Sequence, residues 1–150
     1  MAKSPAALLV DENGVPVGVE STRLLVADLP PPVPAGATLV DQSAAGNVAG
    51  NTSLVSTYTI TNGKYLTIQR FHGGGEFAKE KMQSKVELLE DPNGNLSVLN
   101  LIRVAYLPGN FAFSLATKLV GDGTRRVVIR RTRLADGTLE IAGFWTGVEV

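Results

Sequence analysis

The only histidine in the chain, His72, stands directly before three glycines, Gly73 to Gly75. In this order, backbone N–H groups beside the glycines can bind the negatively charged oxygen that develops during ester hydrolysis. That chemistry also requires a serine nucleophile in a G-x-S-x-G turn and a second, catalytic histidine, and the sequence contains neither. The segment is therefore predicted to be a flexible loop that follows a strand ending at Phe71.

A second group of chemically active side chains lies in the run RRVVIRRTR, which places five arginines within residues 125–133. Such a run could bind nucleic acid, but no aromatic side chains alternate with the arginines, as base stacking requires. We favour cross-strand ion pairs with acids such as Glu87, Glu140 and Glu149, or a contact between subunits, because arginine pairs well with carboxylates at interfaces. The candidate subunit-interface residues are Arg125, Arg126, Arg130, Arg131 and Arg133.

Aromatic residues offer another type of site, a platform on which a sugar ring could lie. Tyr65 and Trp145 are the candidate platform residues, although aromatics make up only 6% of the chain and core packing accounts for most of them with fewer assumptions. The acidic turns Asp11-Glu12-Asn13-Gly14 and Gly121-Asp122-Gly123 lack the full spaced set of acids that a calcium loop needs. No catalytic residue, metal ligand or cofactor is predicted.

The overall composition narrows the function further. The chain of 150 residues has no cysteine, and its 14 basic and 14 acidic side chains give a net charge of zero. The lack of cysteine excludes disulfides and thiolate metal sites, and the balanced charge argues against strong non-specific binding of nucleic acid. No apolar stretch approaches the roughly 20 residues of a membrane helix, and no secretory signal is recognisable. We expect synthesis in a cytoplasm, with neither nucleic acid nor a membrane as partner.

The chain changes character along its length, which predicts three parts. Residues 1–36 form an N-terminal arm, with a hairpin turned at Asn13-Gly14 and a stiff spacer at Pro30-Pro31-Pro32-Val33-Pro34. Residues 37–52 are small, polar and rich in glycine, and are predicted to be a flexible tether. Residues 53–150 alternate apolar or β-branched runs with turn signals, and predict a β-sandwich domain.

The β-sandwich domain contains about seven or eight candidate strands, separated by turns such as the hairpin signal Asn62-Gly63. The run from Leu96 to Tyr106 is apolar on both faces except at Asn100 and Arg103, which predicts a central strand. The only helical candidate, Glu76 to Gln83, is too short to be stable alone. The predicted fold class is all-β, an antiparallel, jelly-roll-like β-sandwich of about eight strands preceded by an extended N-terminal arm.

Two stretches of turn and strand patterns together cover most of the chain. The first is AALLVDENGVPVGVEST, and the second runs from STYTITNGKYLTIQRFHGGGE through KVELLEDPNGN to GDGTRRVVIRRTRLADGTLEIAGFW. The first resembles the N-terminal segments of tailed-bacteriophage virion proteins, and the second is similar to small β-sandwich structural proteins of phage heads and tails. The resemblance implies a non-enzymatic structural protein of the virion, either a capsid decoration or cement protein or a tail or neck component. A host-surface glycan-binding module is the competing interpretation.

The N-terminal arm supplies the predicted contact with other virion proteins. An apolar hairpin of about 20 residues cannot bury its own faces and needs a partner surface, such as the exposed sheet edge of another protein. The resemblance implies that this partner is the major capsid protein or a neighbouring virion protein. It also implies a homo-oligomer, with a trimer expected by analogy. The predicted anchor residues are Leu8, Leu9, Val10, Val15, Val17, Val19, Leu24 and Leu25.

Overall fold

The computed structural model describes residues 33–75, 84–107 and 109–150, which form nine β-strands and no helix. In chain order these are β1 (Thr38–Ala44), β2 (Asn47–Val48), β3 (Thr52–Thr59), β4 (Tyr65–Gly75), β5 (Ser84–Asp91), β6 (Asn100–Leu107), β7 (Gly109–Val120), β8 (Arg126–Arg133) and β9 (Leu139–Glu149). The hairpin predicted in the N-terminal arm and the helical candidate Glu76–Gln83 lie outside the described residues.

The strands form two antiparallel sheets. In the first sheet the order is β1, β9, β4, β7, and the short β2 also pairs with β9; in the second sheet the order is β3, β8, β5, β6. From β2 onward, every connection except that between β5 and β6 passes from one sheet to the other. Apart from the short β2, each sheet has four strands, and two four-stranded sheets connected in this way are the arrangement of a jelly roll, a fold made of two Greek keys. The predicted all-β, antiparallel sandwich is confirmed.

The core lies between the two sheets and follows the two-residue alternation of side chains along each strand. In β4, Leu66, Ile68 and Phe71 are fully buried, and the change from even to odd positions coincides with an irregularity of pairing between Ile68 and Arg70. Trp145 of β9 is the largest fully buried side chain in the described residues. Burying side chains of this size stabilises a fold by about 1.5–3 kcal/mol each.

The predicted turn at Asn62-Gly63 is present, but it joins strands of different sheets. Gly63 has a φ angle of 78°, and the N–H of Lys64 donates to the carbonyl of Thr61 at 3.0 Å. The turn connects β3 of the second sheet with β4 of the first sheet, so it does not close a β-hairpin. A local turn signal specifies that the chain reverses, but it does not specify which strand the next segment pairs with.

The predicted tether over residues 37–52 is wrong for most of its length. Residues 38–48 form β1 and β2, and β1 pairs with β9 from Thr38 opposite Glu149 to Ala44 opposite Gly143. Val40 and Val48 are buried in the core. A few apolar residues at alternating positions therefore suffice to make a sheet edge from a segment whose composition is polar.

The run predicted as a central strand is also different in the structure. β6 begins at Asn100 rather than Leu96, and it is the last strand of the second sheet. One of its faces is turned toward the core, as shown by the buried Ala105 and Leu107. Its other face is exposed, with Leu101 58% and Tyr106 55% accessible. An apolar pattern on both faces here marks an exposed apolar surface and not a buried strand.

Candidate functional site

The three glycines of the His72–Gly75 segment lie within the first sheet and not in a loop, so the loop prediction is wrong. These residues continue β4 to its end at Gly75, with β7 on one side and β9 on the other. Phe71 is buried in the core, so His72 and Gly74 are turned to the outer face. A Cβ on Gly74 would lie 2.3 Å from Oδ1 of Asn110, so the Asn110 side chain lies directly against Gly74 and would have to move to admit a side chain there.

A groove of about 390 Å³ lies on the outer face of the first sheet, and these glycines form part of its lining. This volume lies within the range of about 300–1,000 Å³ that is usual for small-molecule sites. Along β9 the groove runs from Phe144 over Ala142 to Glu140, and Ala142 lies opposite Gly74. On the other side of β4, Asn110 of β7 also lines the groove.

His72 and Phe144 form the aromatic end of the groove. They are cross-strand neighbours, His72 on β4 and Phe144 on β9. Their ring centroids are 5.2 Å apart, and the ring planes are inclined by 21°. Nδ1 of His72 is buried and has no hydrogen-bond partner. Buried polar atoms in proteins are nearly always hydrogen-bonded, so this nitrogen is an exception among the described residues.

The described lining residues of the groove carry several kinds of polar group. They supply an imidazole, an amide and a carboxylate, but no hydroxyl or thiol nucleophile. Among the described residues there is no group of three or more His, Asp or Glu side chains that could hold a metal ion. Within residues 33–75, 84–107 and 109–150, no helix is long and apolar enough to cross a membrane.

The predicted sugar platform of Tyr65 and Trp145 is wrong because the two side chains lie on different faces. Trp145 is 1% exposed, and it packs in the core against Tyr58, whose ring is inclined by 77° at a centroid distance of 5.5 Å. Tyr65 is 52% exposed but lies at the first position of β4, at the opposite end from the glycines. β9 is an interior strand of the first sheet, so its inward residues form the core.

Glu149 is a buried carboxylate that joins the end of β9 to β3. The hydroxyl of Tyr58 donates to one carboxylate oxygen, and the N–H of Thr61 donates to the other at 2.8 Å. Burial raises the pKa of Glu149, but the hydrogen bonds from Thr61 and Tyr58 bring it below its ordinary value. Burial, followed by the effect of Glu149, raises the pKa of Tyr58 to about 12. Both groups are thus engaged in holding the two sheets together.

Three arginines of the run RRVVIRRTR form ion pairs, as the sequence predicts, and Glu87 is one of the predicted partners. The predicted pairing of an arginine with Glu149 is wrong, because Glu149 binds Tyr58 and Thr61. Arg130 holds Glu87 with two hydrogen bonds, from Nε at 3.1 Å and from Nη2 at 2.9 Å. Arg126 holds Asp91 from Nε at 3.1 Å and Nη2 at 2.8 Å. In addition, Nη1 of Arg125 lies 3.3 Å from the carboxylate of Glu90. A role of these arginines in a subunit contact stays a prediction.

The two remaining arginines of the run are buried, which corrects the prediction that they lie at a subunit interface. Arg131 is 8% exposed and Arg133 is 7% exposed. Nη1 of Arg131 donates to the carbonyl oxygens of Gly46 at 3.1 Å and Ile141 at 3.0 Å, and burial lowers the pKa of its guanidinium. Nη2 of Arg133 donates to the carbonyl of Asp136 at 2.9 Å. Arg131 and Arg133 lie on the same inner face of β8 as Val127 and Ile129, because alternate residues of a strand share one face.

The edge of the second sheet carries a row of apolar side chains. Val128, Leu89 and Leu101 are cross-strand neighbours on β8, β5 and β6. Val128 and Leu89 are buried at 0% and 2% exposure, whereas Leu101 at the edge is 58% exposed. Exposed apolar residues that continue a buried row are typical of a surface that contacts another protein.

Comparison with known proteins gives no match: no known protein family, no curated protein and no solved structure matches the chain. The eight predicted anchor residues, from Leu8 to Leu25, lie outside the described residues.

Sequence reasoning singled out His72 and its glycines but missed Asn110, Glu140 and Phe144. These three residues lie on other strands, and only the pairing of β4 with β7 and β9 brings them together. One signal was present in the sequence. A run of glycines between strand-forming segments indicates a place where another group approaches the backbone closely, and not necessarily a loop.

Proposed function

We propose that this chain is a non-enzymatic structural protein of a tailed-phage particle, serving as a capsid decoration or cement protein. The observation that carries the proposal is that residues 38–149 supply all eight long strands of the jelly roll. In this proposal the residues ahead of β1 attach the sandwich to another protein, which is the role the sequence predicts for the N-terminal arm.

The use of the ionisable side chains supports a structural rather than a catalytic role. Asp91 and Glu87 bind arginines of β8, and Glu149 binds Tyr58 and Thr61. These acids are held in their charged form by structural partners. A general acid or base instead needs a pKa close to the working pH.

In this proposal the N-terminal arm binds the major capsid protein or a neighbouring virion protein through its apolar residues. Adding a strand to an exposed sheet edge would satisfy backbone groups while the apolar side chains become buried. Joining several arms in one homo-oligomer strengthens attachment without new contacts, because later binding events become intramolecular.

The attachment is tested with particles purified from a phage strain that lacks the gene for this chain. Full-length protein and a variant without residues 1–32 are added, and bound protein is measured after sedimentation of the particles. We expect the full-length chain to saturate the particles and the truncated chain to remain in the supernatant. Circular dichroism and a melting curve establish that the truncated chain still folds. Equal binding of the two proteins, or no binding of either, would refute the proposal.

The position of the protein on the particle distinguishes a capsid decoration protein from a tail or neck component. Particles decorated with full-length protein are labelled with antibody against residues 33–150 and imaged by electron microscopy. Label distributed over the head supports a decoration protein. Label confined to the tail or neck contradicts that role and supports the alternative component.

Leu101 of β6, the exposed end of the apolar row, supplies a test of assembly. In solution, the mass of the wild-type protein measured by light scattering is expected to be a multiple of the 15.8 kDa of one chain. Leu101→Lys places a charge at the exposed end of the row, and we expect it to reduce the mass. A matched control, Val120→Lys, changes an exposed apolar residue of the first sheet. A monomeric wild-type protein, or a mass unchanged by Leu101→Lys, argues against this interface.

A further inference from the structure

We propose that β3 is a self-association site, at which a second copy of the chain adds its own β3 and joins the second sheets of the two copies. β3 pairs with β8 along Thr52–Thr59, and among the described residues no strand pairs with its other side. This goes beyond the attachment and the Leu101 contact proposed above and does not rest on them, because β3 and β6 lie at opposite edges of the second sheet.

The backbone groups on the open side of β3 follow from one hydrogen bond. The N–H of Ile60 donates to the carbonyl of Arg125 at 3.0 Å, so this position bonds toward β8. Because successive residues of an antiparallel strand direct their backbone groups to opposite sides, the even-numbered residues of β3 also bond β8. The N–H of Thr61 agrees with this alternation, since it donates to Glu149 at 2.8 Å. The backbone groups directed to the open side are those of Ser53, Val55, Thr57 and Thr59.

The other three edge strands carry features that discourage the addition of a strand. β1 contains Asp41, β6 contains Arg103 and pairs irregularly with β5, and β7 contains Lys118 and pairs irregularly with β4. Charges and irregular pairing are common means of preventing sheet edges from pairing with other chains. β3 contains no charged residue, proline or glycine, and its pairing with β8 is regular over all eight residues. It is therefore the least protected edge of the sandwich.

The lack of charge on β3 also favours a second copy of this chain as the partner. An edge reserved for a different protein would still meet other copies of itself, and a charge on β3 would then be needed to prevent self-pairing. Two copies bring identical free backbone groups and can pair reciprocally about a two-fold axis, the commonest symmetry of protein dimers. On the outer face, Arg130 beside Val55 is paired with Glu87 through two hydrogen bonds, which limits repulsion between the copies.

A two-fold axis at Val55 matches the side chains of the two strands. Residues directly opposite each other in antiparallel strands lie on the same face. Val55 then lies opposite the same residue of the second copy on the outer face, and Leu54 lies opposite Ser56 on the inner face. In the single chain Val55 is 45% exposed and Leu54 is 42% exposed. Pairing of the two strands therefore covers apolar side chains as well as backbone groups.

The size of the contact sets the expected strength. A strand of eight residues is roughly 27 Å long, so one pair of such strands makes a small interface. Interfaces below the usual total area of about 1,600 Å² are commonly weak and transient. We therefore expect association that increases with protein concentration.

The first test measures the mass of the full-length protein by sedimentation equilibrium over a series of concentrations. The mass is expected to rise with concentration. Val55→Lys places like charges opposite each other and should lower the mass at high concentration to about half that of the wild-type protein. Val120→Lys, the control, changes a valine of similar exposure, 47%, on β7 and should leave the mass unchanged. An equal mixture of Val55→Lys and Val55→Glu should restore association, because opposite charges then face each other.

The second test needs no substitution. Hydrogen exchange of the wild-type protein is followed by NMR at low and high concentration. The amides of Val55 and Thr57 should become more protected as the concentration rises, because only the second copy binds them. The amides of Ser56 and Tyr58 should be protected at every concentration, because they bond β8 within the same chain.

The inference is overturned if the wild-type protein stays monomeric, if folded Val55→Lys associates as the wild-type protein does, or if the Val55 and Thr57 amides do not respond to concentration. If Val55→Lys associates less but its mixture with Val55→Glu does not recover, β3 contacts a different segment and pairing of β3 with β3 is refuted. Melting curves establish that each variant folds. Binding to particles and the effect of Leu101→Lys are measured separately, so failure of the proposed function is distinguishable from failure of this inference.

Discussion

Replacing Asp91 by Asn tests the account of how β5 and β8 hold the loop between β5 and β6. The Asp91 side chain is fully buried, and one of its oxygens accepts two hydrogen bonds from Arg126. Its carboxylate also accepts the N–H groups of Gly94 and Leu96, each at 3.0 Å. An Asn side chain can keep some of the bonds to the loop, but it removes the charge that Arg126 binds.

The expected loss is about 3 kcal/mol of unfolding free energy. Breaking a buried ion pair by removing one partner costs about 3–5 kcal/mol, because the other charge is left without compensation. The lower end applies here, since the side chain of Arg126 is still 21% exposed and can regain some hydration. For a domain of this size, about 3 kcal/mol lowers the melting temperature by roughly 10 °C.

The stabilising effect of the Asp91 carboxylate depends on pH. Burial raises the pKa of Asp91, but hydrogen bonds from Leu96 and Arg126 outweigh it and leave the pKa below the ordinary value. The contribution of the carboxylate is therefore fully present above the ordinary pKa of about 3.9, and it is lost as the pH falls through the lower pKa of the folded protein. The difference between the wild-type protein and Asp91→Asn should shrink below pH 4.

Urea denaturation at pH 7 and pH 3 measures this difference, with the fluorescence of the buried Trp145 as the signal. Asp41→Asn, at an exposed position of β1, is the control for loss of a negative charge and should change stability by less than about 0.5 kcal/mol. A double-mutant cycle with Arg126→Met isolates the pair. If the two single effects add to within about 0.5 kcal/mol, or if the loss is the same at both pH values, the reasoning is refuted.

Three further substitutions test other parts of the sandwich. Trp145→Ala should lower the unfolding free energy by about 3–5 kcal/mol, whereas Tyr65→Ala should change it little. Urea denaturation monitored by circular dichroism measures both variants, and similar losses for both would contradict the assignment of core and surface. Glu149→Gln should lower the pKa of Tyr58 from about 12 but leave it above its ordinary value, because burial raises it more than Glu149 does. Tyrosinate absorbance, measured against Tyr58→Phe, follows this change, and an unchanged titration would mean that Glu149 does not control this hydroxyl. Leu96 has a φ angle of 64°, so Leu96→Asn should raise stability by about 1 kcal/mol, and a loss of stability would show that its side-chain contacts outweigh the backbone strain.

The fold class could be predicted because it depends on local patterns. Alternation in segments such as Tyr65–Phe71 and turn residues such as Gly63 specify strands and reversals from neighbours in the sequence alone. Which strands pair is a property of the whole chain. The polar segment Thr38–Ala44 becomes a strand because β9 offers it an edge, and that edge is more than 90 residues away in the sequence.

The candidate site was less predictable for the same reason. The sequence predicted that arginines of residues 125–133 pair with acids, because residue type and alternation suffice for that, but it did not identify Asp91 as the partner of Arg126. It interpreted the segment after His72 as a loop. It placed Trp145 on a platform, since nothing in its neighbours indicates that β9 is an interior strand with a buried inner face. The groove itself needs Asn110 and Phe144 on two further strands, a juxtaposition that exists only after the first sheet has formed.

The position of β9 also determines when this protein can fold during its synthesis. β9 is the last strand of the sandwich to be made, yet it lies between β1 and β4 and pairs with both along most of their length. Among the described strands, β1 pairs only with β9, and β4 has only β7 beside it until β9 has been made. At about 5–20 residues per second, several seconds separate the synthesis of β1 from that of β9. We therefore expect the first sheet to close only after all four strands of the second sheet have been made.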